Sequence, residues 1–314
     1  MSVDSYEIVE NPDKKYYELM LKEIVRTDGW SRLSGEYDIW KESKEKFWFW
    51  IAFEKSTSIP IGIITLALDK SQSHDPSDDL HTLGTFFIKE AHRKKGAGKV
   101  LMAKCLQKTG EKNVALNAAL VTEEYFRIKY SFTYSPSYLH SVAIVKLRDF
   151  KTERQVAKTF VKRVDEVDFA KIDEYDKKIC SLERGKCLKR WLLDQESVAR
   201  VALDSSGSVI GIACLRPQIA DRVTVGPLYA ETEDRARDLL LSCLQNYSPK
   251  SQDTELWIRY PDPNEESIKR VLNQIIAGKY ETKVHGKSMF TQKVMESTRL
   301  SSVYGVMESA HSFT

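Results

Sequence analysis

The stretch Phe86–Leu106, FFIKEAHRKKGAGKVLMAKCL, moves from an aromatic strand-like run through a basic turn into a Leu/Met/Ala-rich helix. Two glycines, Gly96 and Gly98, punctuate the turn and permit backbone conformations and close approaches that a side chain forbids. A helix that opens there leaves its first amide N–H groups unpaired, and its positive end adds to their field. Such a turn can seat a diphosphate. Arg93, Lys94, Lys95 and Lys99 contribute charge, with arginine best suited to directional phosphate contacts. The competing reading of the same residues is an ordinary basic connection. Neither GxGxxG nor the full GxxxxGKS/T loop is present, which sets aside the dinucleotide and nucleoside-triphosphate fingerprints.

The flanks extend the pattern in both directions. Upstream, SYEIVE reads as a short strand, and in YYELMLKEIVRTDGW the residues Tyr17, Met20, Leu21, Ile24 and Val25 recur on one helical face, with Gly29 at the exit. FWFWIAFEK and PIGIITLAL form a hairpin, SQSHDPSDD is a break, and LHTLGTFFI is the strand that enters the glycine turn. Downstream come a strand in NVALNAALV, a helix in EEYFRIKYSF, and a closing strand in YLHSVAIVKL. The second half repeats the order. A strand in KTFVKRVDEV precedes helices in FAKIDEYDKKIC and GKCLKRWLLDQ, and a hairpin turns at Asp204–Gly207. RVTVGPLYA, ETEDRARDLLLSCL, TELWIRYP, EESIKRVLNQII and KSMFTQKVM then alternate strand and helix. Two copies of one α/β unit, each with a mixed central sheet flanked by helices, are expected. Residues 1–150 make the first, 158–296 the second, and 297–314 a flexible tail, with a short docking segment at Val303–Met307 as the lesser option.

Bulk properties agree with this division. A chain of 314 residues exceeds one average core, 42% apolar content suffices for two, and a net charge of +3 gives no whole-chain argument for nucleic acid. HRKKGAGK is a short cluster without a repeated basic stripe or an aromatic RNA-binding motif, and no basic amphipathic helix points to a membrane. The five cysteines are odd in number and dispersed, unlike a disulfide framework or a zinc site. No metal is expected. The N-terminus is polar, no 18-residue apolar run occurs, and a cytoplasmic protein is expected. Oligomeric state is left open.

Arg93-Lys-Lys-Gly96-Ala-Gly98, set between a strand and a helix, resembles the R/QxxGxG/A segment of the GCN5-related N-acetyltransferases (GNAT). The preceding hairpin, NVALN, the following helix and YSF are similar to that family's later elements, and the whole chain looks like its tandem subgroup with a degenerate second copy. The resemblance implies acetyl-CoA as cofactor, direct transfer of its acetyl group to an amine, and release of CoA. It assigns the diphosphate to Arg93, Lys94, Lys95, Gly96, Ala97, Gly98 and Lys99, backbone contacts to Phe87 and Ile88, and the pantetheine arm to Asn117. A neutral amine must attack, so proton removal and positioning matter. His81 is the candidate base or water relay, while Glu36, Asp38 and Trp30 are candidates for the acceptor pocket.

The chain departs from the family where a tyrosine is usual. Arg127 stands four residues before Ser131, which replaces the glycine of GF; Tyr125 is the substitute acid and Arg127 a stabiliser of negative charge. The second half has no RxxGxG, and its ETEDRARD is unsuited to a diphosphate. Two functions compete: acetyl transfer to a small or amino-acid-like amine, and a catalytically weak or inactive acyl-CoA sensor. A structural partner protein using the degenerate half is a third class.

Overall fold

The computed structural model describes residues 5–151, 161–295 and 297–312. The first half runs β1 (Tyr6–Glu10), α1 (Lys14–Asp28), α2 (Glu36–Ser43), β2 (Lys46–Glu54), β3 (Pro60–Asp69), β4 (Leu80–Ile88), α3 (Ala97–Thr109), β5 (Val114–Ala118), α4 (Glu123–Tyr130) and β6 (His140–Lys146). The second runs β7 (Val161–Arg163), α5 (Phe169–Lys177), α6 (Gly185–Leu192), β8 (Val198–Leu203), β9 (Val209–Pro217), β10 (Arg222–Ala230), α7 (Glu233–Gln245), β11 (Glu255–Pro261), α8 (Glu265–Ile275) and β12 (Glu281–Phe290). A further strand, β13 (Val303–Gly305), follows.

Local chemistry sets the helix ends. Asp13 caps α1 by accepting from the Lys15 amide at 2.8 Å, and Gly29 closes it in the left-handed region. Tyr17, Met20, Leu21 and Ile24 form its buried face, as their spacing predicts. The eight-residue α2 lies in a segment that reads as merely polar. Its buried face is only Glu36, Ile39 and Trp40, too few positions to show a period.

Among the described residues the strands form one thirteen-stranded sheet in the order β1-β2-β3-β4-β5-β12-β6-β11-β10-β9-β8-β7, with β13 paired to β10. The halves exchange their last strands. β12 pairs antiparallel with β5 (Lys287↔Ala118 to Phe290↔Ala115), and β6 pairs antiparallel with β11 (Glu255↔Lys146 to Pro261↔His140). The expected division near residues 150–158 therefore divides the chain but not the sheet; residues 152–160 of that connection lie outside the described residues. β4 and β5 are parallel neighbours through only His81↔Val114, Thr82↔Ala115 and Leu83↔Leu116, after which they part.

Helices cover both faces. On one, α1 and α2 share a core with α5 and α6, and Trp40 stacks on Trp191 at 5.8 Å across the two halves. On the other, α3 and α4 pack on the first half and α7 and α8 on the second. The tail departs from expectation. Residues 303–305 join β10, and Val303, Tyr304, Val306, Met307, Ala310 and His311 are all buried. The segment 303–312 is thus a packed part of the core shared by the two halves, because its apolar and polar groups both find partners on distant strands.

Candidate active site

The glycine turn is built as its sequence suggests. After β4 the chain makes a short 3-10 turn (Glu90–His92), Lys94 takes a φ of 61° and Gly96 a φ of 97°, and α3 begins at Ala97. Gly96 is the N-cap and its carbonyl accepts from the Lys99 and Val100 amides at 3.0 and 3.3 Å. The amides of Ala97 and Gly98 stand in the first turn, where no intrahelical acceptor exists. A Cβ on Gly98 would come 3.2 Å from Phe86 Cζ, so the helix start lies close against β4.

The cations divide into two groups. Lys94, Lys95 and Lys99 are exposed around the turn. Arg93 is committed elsewhere: its Nε donates to the Ile88 carbonyl at 2.8 Å and its Nη2 to Asp28 at 2.7 and 2.9 Å, with the guanidinium 5.5 Å from the Phe87 ring centre. It ties the turn to the ends of α1 and β4.

The open stretch of β4 presents its backbone by parity. Alternate residues of a strand direct their N–H groups to the same neighbour. Lys89 donates to the Ile61 carbonyl (2.8 Å) and Thr85 to Thr65 Oγ1 (2.7 Å), both toward β3. Phe87 shares that direction, so the amides on the open side belong to Phe86 and Ile88: of the pair expected from sequence Ile88 stands, and Phe86 takes the place of Phe87. The Phe87 ring turns to the α1/α2 face, edge-on to Trp30 at 6.5 Å, while Phe86 and Ile88 pack on the α3 face.

On the α1/α2 face, Glu36 is 3% exposed; it accepts from the Tyr17 hydroxyl at 2.9 Å and the Leu33 amide at 3.1 Å, with Arg32 at 3.6 Å. Burial first, and then the Glu36 charge, push the Tyr17 phenol well above its usual range. Arg32 is also buried, and its Nε has no hydrogen-bond partner among the described residues. Trp30 lies half-exposed at the rim beneath Arg32. Asp38 turns outward to Lys14 at 2.6 Å and does not join Glu36.

The same face holds the end of the described chain. His311 stands on Gly84, where a Cβ would come 2.4 Å from His311 Nε2. Its Nδ1 lies 2.9 Å from Thr82 Oγ1 and 3.1 Å from the Thr82 carbonyl, and its Nε2 lies 3.1 Å from Thr65 Oγ1. Trp40 and Phe47 meet its ring edge-on at 5.6 Å each. Burial drives His311 well below the ordinary imidazole value. Asn117 is occupied by this segment: its Nδ2 donates to the Ser309 carbonyl at 3.0 Å and the Ser312 carbonyl at 3.3 Å, and its Oδ1 accepts from Ser288 at 2.6 Å.

The remaining candidates stand apart. His81 sits at the closed end of β4, seven residues before Ile88 and therefore about 20 Å from the turn along the strand. Its ring stacks on Trp48 at 6.3 Å, its Nδ1 has no hydrogen-bond partner among the described residues, and burial pushes its pKa down to about 4. Arg127 is half-exposed and paired with Glu123 at 3.7 Å, in place of the tyrosine the family pattern puts there. Tyr125 is closer to the open strand. Its hydroxyl lies 3.2 Å from that of Tyr130, and it packs on Phe126, which in turn meets Phe86. In the second half, the start of α7 is capped by Thr232, and Glu233 is bonded to Arg270 at 2.6 Å, so an acidic helix start replaces the glycine turn.

A family model described as "Acetyltransferase (GNAT) family" matches residues 14–125, and one described as "Acetyltransferase (GNAT) domain" matches residues 172–297. The chain belongs to the GNAT acetyltransferases, as a tandem of two GNAT domains. Solved structures share the whole architecture at low identity. A Pyrococcus horikoshii protein assigned as an acetyltransferase is 16% identical with a TM-score of 0.72, covering 99% of this chain and 97% of its own. A GCN5-related N-acetyltransferase from Sphaerobacter thermophilus is 11% identical with a TM-score of 0.59, covering 99% and 100%. A tandem GNAT protein from the clavulanic acid biosynthesis pathway is 10% identical with a TM-score of 0.59, covering 91% and 97%. No curated protein matches the chain. Among the described residues of this tandem GNAT protein, no helix is long and apolar enough to cross a membrane.

Sequence reading missed Phe86, Tyr17, Arg32, Thr82 and His311. The parity of β4 was available from the pattern LHTLGTFFI once its pairing with β3 was drawn. Nothing local in SAHSFT signals that His311 docks on a strand more than two hundred residues earlier.

Proposed function

We propose that this GNAT protein transfers the acetyl group of acetyl-CoA to the amine of a small-molecule or amino-acid-like acceptor, and that residues 1–150 carry the working site. The observation that carries the reading is the start of α3, where the left-handed Gly96 and the close-packed Gly98 leave free amides beside the open stretch of β4. The amides of Ala97 and Gly98, with Gly96 and the Lys94, Lys95 and Lys99 cations, would hold the diphosphate; Arg93 would set the turn's position. When bound, the cofactor supplies an activated acetyl thioester. The open-side amides of Phe86 and Ile88 would orient it and meet developing negative charge.

Glu36 would attract the cationic acceptor, and Trp30 would form the rim. Asp38, at the surface with Lys14, would act on approach rather than on the bound amine. The Tyr125–Tyr130 pair supports Tyr125 over Arg127 as proton donor to the departing thiolate. His81, neutral and distant, supports no role at the reacting amine. The second domain would serve as the wall and support of this site, since its α7 start is acidic.

The test is incubation with acetyl-CoA and a varied amine panel, scoring thiol release and product mass. Turnover that falls at least about a hundredfold in folded Gly96→Leu supports the cradle, since misplacing a bound group by about 1 Å costs that much; undiminished turnover removes it. The engaged Asn117 and the outward Arg127 favour a second reading, an acyl-CoA sensor. Binding of acetyl-CoA without transfer to any amine would select it.

A further inference from the structure

The segment 306–312 crosses from the second domain's sheet to the first domain's central strand on the α1/α2 face. The Val306 amide donates to the Arg259 carbonyl on β11 at 2.8 Å, and His311 rests on Gly84, the first residue of β4 beyond its pairing with β5. The anchors of this segment are themselves buried. Lys44 Nζ donates to the His311 carbonyl at 2.9 Å while held by Asp69 at 2.9 and 3.0 Å, and Arg184 Nη1 donates to Ser312 Oγ at 3.0 Å while paired with Asp176. Glu308 accepts from the Ala310 and His311 amides, closing a tight turn. Lifting the segment would strip partners from Lys44, Arg184 and Asn117 in a water-poor space, which marks it as a fixed wall and not a lid.

The ring of His311 has no spare hydrogen-bonding capacity. Nδ1–H donates to the Thr82 carbonyl, which makes Nε2 the acceptor for the Thr65 hydroxyl, and that hydroxyl accepts in turn from the Thr85 amide. A histidine so engaged is no proton carrier. What it does is fill volume: with Trp40 and Phe47 edge-on to it and Gly84 beneath it, the imidazole occupies the space over β4 on the α1/α2 face.

We propose that His311 is a specificity-determining residue, the inner wall of the acceptor pocket, and that it restricts transfer to slender primary amines. The proposal rests on the reading of this face as the acceptor side. Its test uses the full chain and the amine accepted by the wild type together with homologues enlarged by a methyl, an isopropyl and a phenyl group. His311→Ala should raise kcat/KM for the enlarged amines relative to the parent by about tenfold or more, as expected for pocket discrimination by volume. His311→Asn keeps a donor for the Thr82 carbonyl and should shift the ratio the same way; it carries the test if the alanine variant does not fold. Acetyl-CoA titration by calorimetry, run on each protein, reports whether the cofactor site is intact. An unchanged ratio in a folded variant that binds acetyl-CoA overturns the wall and leaves the transferase reading in place. Absence of transfer in every protein overturns that reading, and the wall with it.

Discussion

His311 rests so closely on Gly84 that position 84 has no room for a side chain while the ring stays in place. A methyl group at position 84 would meet Nε2 at 2.4 Å and Cε1 at 2.5 Å, and the ring, wedged by Trp40 and Phe47, has little room to yield. Gly84→Ala should therefore destabilise the protein by about 1–3 kcal/mol, the usual result of overpacking. Combined with His311→Ala, the same change should cost far less, giving a coupling of similar size between the two positions in urea unfolding. Additive losses would show that the ring is not held where the structure places it. Arg93 makes the opposite case. From sequence it is a phosphate ligand, yet it is spent on Asp28 and the Ile88 carbonyl, an exposed pair worth about 0–1 kcal/mol. Arg93→Ala should weaken acetyl-CoA binding less than Gly96→Leu does, as a calorimetric titration would show. The glycines were legible because conformation is written in the residue type itself. The arginine was not, because its partner Asp28 sits 65 positions away.

Among the elements, those with a local period were readable. α1, the β2–β3 hairpin, β4 and α3 all follow from apolar spacing and turn residues, and two copies of one α/β unit follow from the repeated order of such elements. α2 and the segment 303–312 were not readable, since one has too few buried positions and the other takes its stability from contacts far away in sequence. The Lys44–Asp69 pair shows how those two elements are joined. Lys44 lies just past α2 and Asp69 ends β3, both are almost fully buried, and Lys44 also holds the His311 carbonyl. Burial opposes its charge, but Asp69 and its other neighbours hold the ammonium above its ordinary value. Lys44→Met should therefore cost about 3–5 kcal/mol, because it leaves a buried carboxylate without its partner. Replacing both residues, Lys44→Met with Asp69→Leu, should recover most of that loss. A small effect of the single change on the urea midpoint would mean that water reaches the pair.

Across the whole molecule, the exchange of β6 and β12 couples the two domains, so neither half has a complete sheet alone and a single unfolding transition is expected. The crossing of these strands is also where acid should act. His140 on β6 is bonded through Nε2 to Ser288 Oγ on β12 at 3.0 Å, and burial lowers it to about 4. His285 on β12 accepts from Arg259 Nε at 3.2 Å; burial, then Arg259, His140 and Lys283, lower it to about 3. In the unfolded chain both titrate near the ordinary value of about 6.5. Between that value and the folded ones the unfolded state binds more protons, so stability is complete above about pH 6.5 and is lost as pH falls toward 3–4. From His140 alone the loss approaches about 3 kcal/mol. Urea midpoints taken at pH 7, 5.5 and 4 should fall in that order. In His140→Gln, where the titrating ring is gone and a polar group remains near Ser288, the fall should be shallower by the share of one histidine. Equal slopes in the two proteins would place the acid sensitivity elsewhere than at the strand crossing.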